Sequence, residues 1–287
     1  MLARIRRRKF FGASNPAHSW IVFCASHYPY NLVEFPMSGS GYDLSTTTYS
    51  PEGRIFQSEY AVKCVDNSGT AIGFLFKDGV LLANERAFVS PMLVPGTNRR
   101  IFVVNKHSAL SVAGLVADGR EVVERAREEA AQYKQIYDEE IPPRVLAERI
   151  AMYVHAFTQY GSVRPFGSSV LLASLDPKTG APSLFTIDPS GEVAKNFGSA
   201  VGKGRQLAKS SIEKLNLSEL PPRDALYNAA RILLKGQDKD TEKERQNDFE
   251  YLWVSKETGG IPVHIHESLV KEVEDEARQA IQIEEEA

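Results

Sequence analysis

The sequence predicts an α+β fold, a four-layer αββα sandwich in which two antiparallel sheets pack face to face between outer helices. Three observations predict it. Apolar runs rich in β-branched and aromatic residues come in pairs joined by tight-turn signals. Longer stretches with apolar residues three and four apart read as amphipathic helices. The order is two strand pairs, two helices, a meander, two helices, a strand and a helix, so paired helices separate antiparallel groups.

The elements follow in order. Residues 42–53 are small, polar and turn-prone, with a turn signal at Pro51-Glu52-Gly53. A helical pattern runs from Arg54 to about Asn67, with Phe56, Tyr60 and Cys64 along one side. Thr70–Phe76 and Val80–Asn84 are strands, and Lys77-Asp78-Gly79 between them is a hairpin signal. Ile101–Asn105 and Ala109–Ala113 form a second pair, set off by Pro91, Pro95 and Gly96.

Asp118 with Glu121 reads as the N-cap of a long helix whose face carries Val122, Ala126, Ala130, Tyr133 and Tyr137. Pro142-Pro143 separates it from a second helix with Leu146, Ile150, Tyr153, Phe157 and Tyr160 on one face. Ser168–Leu175, Pro182–Ile187 and Val193–Asn196, broken by Asp- and Gly-containing turns, read as a meander. Helices are expected over Gly202–Asn216 and Arg223–Leu234, and the charged stretch 236–248 as an exposed loop. A last strand, Phe249–Ser255, turns at Thr258-Gly259-Gly260 into a final helix from Glu267 that carries Val270, Val273, Ala277 and Ile281.

Four segments result: a basic extension over 1–36, a polar segment and helix over 37–68, the sandwich over 69–283 and an acidic tail over 284–287. Residues 1–36 hold Arg4, Arg6, Arg7, Arg8 and Lys9 against Glu34 alone, and are compositionally foreign to the rest. The apolar run Trp20–Ala25 is too short and interrupted for a signal sequence. Met37-Ser38-Gly39-Ser40-Gly41 reads as the start of the native chain.

The whole chain is 43% hydrophobic and 25% charged, ordinary for a globular protein with a substantial core. A formal net charge of -3 and the lack of a basic stripe interleaved with aromatics argue against a nucleic-acid partner. No apolar run approaches a membrane span. Two cysteines, Cys24 and Cys64, provide neither a disulfide framework nor a metal set.

Few residues invite chemistry. Gly69-Thr70 at the head of the first strand is where an N-terminal-nucleophile hydrolase would cleave itself. The freed threonine would then use its own α-amine as base. The segment before it reads as ordered helix, and an attached Thr70 has only an amide nitrogen, so a strand-start threonine is the preferred reading. Glu85 and Arg100 stand where an active enzyme of that class keeps an aspartate and a lysine, and read as surface or interface charges. Gly202-Lys203-Gly204 lacks the Lys-Ser/Thr of a phosphate loop and reads as a helix start. His264 and His266 lack a third ligand and read as a solvated pair, so no metal and no cofactor are expected. The Asn216-Leu217-Ser218 sequon carries no weight without a signal peptide.

Tyr42-Asp43, Tyr49-Ser50-Pro51-Glu52-Gly53-Arg54 and Gln57-Ser58-Glu59-Tyr60-Ala61 together resemble the N-terminal signature of proteasome alpha subunits. Further segments resemble that family in the same order: Gly69–Gly73, Lys77–Val80, Ala113–Asp118 and Tyr160–Gly167. The likeness covers roughly residues 41–275. Ala151–Ala156, Gly204-Arg205-Gln206 and Ile212–Leu215 are most similar to the paralogue class at the seventh place of the alpha ring.

The resemblance implies a non-catalytic, N-terminal-nucleophile-hydrolase-like fold that keeps its N-terminal helix. It also implies a structural subunit of the 20S core particle in cytoplasm and nucleus. Partners would be other alpha subunits in a seven-membered ring, beta subunits, regulatory-particle ATPases or other activators, and unfolded polypeptide substrates. Carried over by position, Tyr42, Asp43, Pro51 and Tyr60 form the pore gate, and Arg100 takes the place of an activator-pocket lysine. Arginine keeps the charge there but changes its geometry from a point to a fork.

Overall fold

The turn signals and the period-two pattern set both sheets. Lys77 and Asp78 close the hairpin between β1 (Ala71–Phe76) and β2 (Gly79–Arg86), with Ala71 opposite Asn84 and Phe76 opposite Gly79. β3 (Ile101–Asn105) pairs antiparallel with β4 (Ser108–Gly114), as expected. The meander β5 (Ser168–Leu175), β6 (Pro182–Ile187) and β7 (Val193–Asn196) then extends that pair into a sheet of order β3-β4-β5-β6-β7. β8 (Gly198–Val201), β9 (Asp248–Ser255) and β10 (Pro262–His264) join the hairpin in a second sheet, β10-β9-β2-β1-β8.

The helices are α1 (Phe56–Asp66), α2 (Val116–Tyr137), α3 (Pro143–Gln159), α4 (Arg205–Ile212), α5 (Pro222–Lys235) and α6 (Glu267–Glu286). The computed structural model of the chain describes residues 41–86, 92–94, 96–236 and 248–286. Expectations for 1–36, for a start at Met37 and for most of the charged loop lie outside the described residues.

Alternation along each strand separates three cores. Ile72, Phe74 and Phe76 of β1 pack with Leu81 and Ala83 of β2 against the helical residues Ala208, Leu226, Ala229, Leu233 and Val273. Leu110, Val112, Val170, Leu172 and Phe185 pack against Val122, Ala126, Leu146 and Ile150 of α2 and α3. The intervening positions, among them Ala71, Val80, Leu82, Ala109, Leu171, Leu184 and Leu252, meet between the sheets. These strands are covered on both faces, and each buried Leu, Ile or Phe stabilises the fold by roughly 1.5–3 kcal/mol. The result is the expected four-layer sandwich. α1 plugs one end of it through Ala61 and Val65, the latter in the inter-sheet core.

Several expectations are corrected. Phe56 and Tyr60 do share a side of α1 and stack at 6.3 Å, but the helix buries Ala61 and Val65, while Tyr60 and Cys64 are exposed. Asp118 is not an N-cap: α2 begins at Val116 after Leu115 and has no side-chain cap, because the Asp118 carboxylate is committed to Arg164. The stretch 202–216 holds a much shorter helix, α4, preceded by a strand, β8, that has no alternating pattern. α3 stops at Gln159, and Tyr160 is extended and exposed. The acidic end is no separate tail at its start, since α6 reaches Glu286 and Glu284 bridges Arg231 and Lys235 of α5.

Candidate functional site

Thr70 sits at the entrance to β1, buried to 4% exposure. Its backbone N–H donates to a Glu85 carboxylate oxygen at 3.0 Å, and its hydroxyl accepts the Gly204 N–H at 3.0 Å. A nitrogen in a peptide bond has no basic lone pair, so while residue 70 stays joined to Gly69 its own amide cannot serve its hydroxyl as a base. Glu85 is therefore no loose surface charge. It accepts the backbone N–H of Thr70.

The surroundings close over Thr70. Ser68 Oγ accepts from the Gly114 N–H at 2.9 Å and donates to the Val65 carbonyl at 2.7 Å. The Lys203 N–H donates to the Ser68 carbonyl at 3.0 Å, and Arg205 pairs with Asp66 at the end of α1. Gly202 adopts φ +98°, and a Cβ there would stand 2.4 Å from the Gly69 carbonyl oxygen. Gly202-Lys203-Gly204 is thus a helix start, with Gly204 at the N-cap of α4, that also clamps the 66–70 junction.

Arg100 is half-buried just before β3. Its N–H and that of Ile101 donate to one oxygen of the buried Glu250, at 2.7 and 3.2 Å. Its guanidinium reaches the Gly114 carbonyl at 3.4 Å, while Nε is buried without a hydrogen-bond partner. Burial pushes the guanidinium pKa down, against the opposing attraction of Glu250. Glu250 also faces His264 Nδ1 at 3.7 Å. His264 is not solvated as expected: it is half-buried on β10, and burial lowers its pKa. His266 is exposed, and its Nδ1 lies 2.8 Å from Ser268 Oγ at the start of α6. The described residues hold no group of three or more His, Cys, Asp or Glu placed to bind a metal. No helix among them is long and apolar enough to cross a membrane.

The polar segment before α1 is held differently. Ser50 is buried and closes the Pro51-Glu52-Gly53 turn. Its carbonyl accepts from the Gly53 N–H at 2.8 Å, and its hydroxyl accepts from the Arg54 N–H at 3.1 Å. Buried Thr46 donates its hydroxyl to the Tyr160 carbonyl at 3.0 Å. The Gln57 side-chain amide donates to the Asp43 carbonyl. Tyr42, Pro51 and Tyr60 are exposed and Asp43 is half-buried, and no hydrogen bond or ring contact joins any two of these four.

Beneath this segment lies the bend Tyr160–Gly167, and a cavity of about 160 Å³ between them is lined by Leu44, Thr46, Gln57, Val163 and Arg164, among others. The Asp118 carboxylate accepts both Arg164 Nη atoms, at 2.6 and 2.8 Å, and the Gly167 N–H at 2.9 Å. Arg164 and the Gly167 N–H hold that carboxyl below the usual carboxylate range despite its burial. Sequence reasoning did not anticipate the bonds that Thr46, Gln57 and Asp118 make here. Their partners lie as far as 114 residues away, so no local spacing signals them.

Comparison with known proteins agrees with this geometry. Residues 65–252 match the family described as "Proteasome subunit", and residues 42–63 match the N-terminal signature of A-type proteasome subunits. The chain is 50% identical over 247 residues to the alpha type-3 proteasome subunit of Acanthamoeba castellanii, covering 86% of this chain and 96% of that one. The alpha type-3 subunit of Spinacia oleracea is 45% identical over 244 residues, covering 85% and 96%. A probable alpha type-7 proteasome subunit of Schizosaccharomyces pombe is 42% identical over 248 residues, covering 86% and 96%. The signature falls on the polar segment and α1, the family match falls on the sandwich, and the chain belongs to the proteasome subunit family as one of its alpha-type members.

Proposed function

We propose that this chain is a structural alpha subunit of the 20S proteasome core particle, of the alpha type-3 kind at the seventh place of the outer ring. It would act in ubiquitin-dependent protein degradation in cytoplasm and nucleus. The observation that carries the reading is the intact N-terminal signature, joined through α1 to a Thr70 whose amide is bonded to Glu85. A chain built this way holds no free α-amine at the strand head and serves as scaffold and gate rather than as a peptidase.

In this reading the exposed Tyr42, Pro51 and Tyr60, together with the half-buried Asp43, contact equivalent segments of neighbouring alpha subunits and close the axial pore. Tyr hydroxyl and Asp carboxylate groups that do not bond to one another within one chain suit that exchange. Beta subunits stack beneath the ring, and unfolded polypeptides enter when the segments disorder. Arg100 would receive an activator's terminal carboxylate. Its half-burial and its commitment to the Glu250 and Gly114 neighbourhood make it a less available cation than a lysine on a flexible stem.

Native mass spectrometry of the purified complex tests the scaffold: the chain is expected in a ring of alpha subunits stacked on beta subunits. A chain found alone, or one whose mature N-terminus is Thr70, overturns the reading. Asp43→Ala in the assembled particle tests the gate. Basal hydrolysis of a small peptide should rise roughly tenfold, from the loss of one hydrogen bond to a charged group worth about 1.5 kcal/mol.

A further inference from the structure

We propose that Asp118 and Arg164 are positioning residues for the pore segment, acting through the Tyr160–Gly167 bend on which residues 44–47 rest. The inference extends the gate reading above.

The bend is irregular, and Gly161, Ser162, Val163 and Arg164 are exposed, so no strand ladder fixes their position. Asp118 supplies that fixation from the first turn of α2. It takes a two-pronged bond from Arg164 and a third from the Gly167 N–H, and its side chain is only 10% exposed. Charge-assisted, bidentate pairs are the ones that set geometry as well as energy. The Leu115 N–H donates to the Gly167 carbonyl at 2.9 Å, so the base of the bend is bonded to the start of α2 at two points.

The other end of the bend meets the pore segment. The Tyr160 carbonyl accepts the Thr46 hydroxyl, and a side chain at Gly161 would come within 3.3 Å of Ser45 Oγ. Moving the bend therefore moves residues 45 and 46, shortly after Tyr42 and Asp43. The order of bonds is Asp118 to Arg164, bend to Thr46, Thr46 to gate, and none of these three residues need touch a neighbouring subunit.

The test uses reconstituted core particles carrying Arg164→Lys, which keeps the charge but loses the fork, or Thr46→Val, which removes only a hydroxyl. Each should raise basal hydrolysis of a small fluorogenic peptide about fivefold, the effect of one lost hydrogen bond on a closed–open equilibrium. Activator-stimulated hydrolysis should stay level, and Thr46→Ser should restore closure. In an Asp43→Ala background, neither substitution should add to the rise, because the gate is already open. If Asp43→Ala opens the pore while Arg164→Lys and Thr46→Val leave basal hydrolysis at the parent level, the positioning role is overturned and the gate reading survives. A further multiplicative rise in the Asp43→Ala background also overturns it. If Asp43→Ala itself has no effect, the gate reading falls and takes this inference with it.

Discussion

The segment before α1 and the junction after it treat their polar groups in opposite ways. Over residues 42–55 the bonds that anchor the chain go through backbone atoms and the small side chains of Thr46 and Ser50, while Tyr42, Tyr49 and Pro51 lie exposed. At residues 66–70 nearly everything is committed. Asp66 pairs with Arg205, Ser68 bonds to Val65 and Gly114, and Thr70 uses its amide on Glu85 and its hydroxyl on Gly204. Side chains left without internal bonds stay available for other contacts, whereas the junction satisfies its polar groups within the chain. The helix between the two, sunk into the sandwich by Ala61 and Val65, keeps them apart.

The contrast can be broken most severely at Gly202. Gly202→Ala forces a Cβ against the Gly69 carbonyl at a positive φ and should cost about 3 kcal/mol. A large drop in the thermal midpoint of the purified protein, with loss of incorporation into particles, is the expected outcome, and an unchanged midpoint would refute the clamp. Thr70→Val sharpens the contrast with a smaller effect. The Gly204 N–H loses its acceptor at a cost of about 1–2 kcal/mol, while peptide hydrolysis by the assembled particle stays at the parent rate. Loss of activity there would instead make Thr70 a nucleophile.

The smallest effect is one of pH. The Asp118 carboxyl titrates lower in the folded chain than in the unfolded one, because of Arg164 and the Gly167 N–H. Its contribution is therefore fully present above the unfolded value of about 3.9 and fades as pH falls through the folded value. The stability difference between Asp118→Asn and the parent, followed by thermal melts, should be constant near neutrality and shrink below about pH 4. The Thr70–Gly204 bond contains no titrating group, so Thr70→Val should show no such convergence.

Much of the architecture was legible, because period-two burial and turn residues are local signals. β1, β2, β4 and β5 alternate strictly between two cores, and their pairing followed from Asp78-Gly79 and the short turns. β8 was not legible. Gly198, Ser199, Ala200 and Val201 form a strand only because β1 offers them a free edge, with Ala71 opposite Val201. β10 is three residues long and depends in the same way on β9. At the site, the resemblance pointed to Tyr42, Asp43, Pro51 and Tyr60, but nothing local could show what supports them. Asp118 looked like a helix cap because capping is the short-range use of an aspartate, and its partner 46 residues on won instead. Charge alone likewise hid the fact that Glu85 and Glu250 serve backbone amides.

The start of α1 has a mechanical consequence. Ile55 occupies the N-cap with extended backbone and gives no side-chain bond to the first turn. The first turn is tied to the preceding chain instead by the Gln57 side chain, which donates to the Asp43 carbonyl, and by the exposed Arg54–Glu59 pair, which is worth little. Downstream, Val65 is fixed in the inter-sheet core. At residue 55 the chain thus passes from a segment tied on by single side-chain bonds, at Thr46, Ser50 and Gln57, to a helix held by apolar burial.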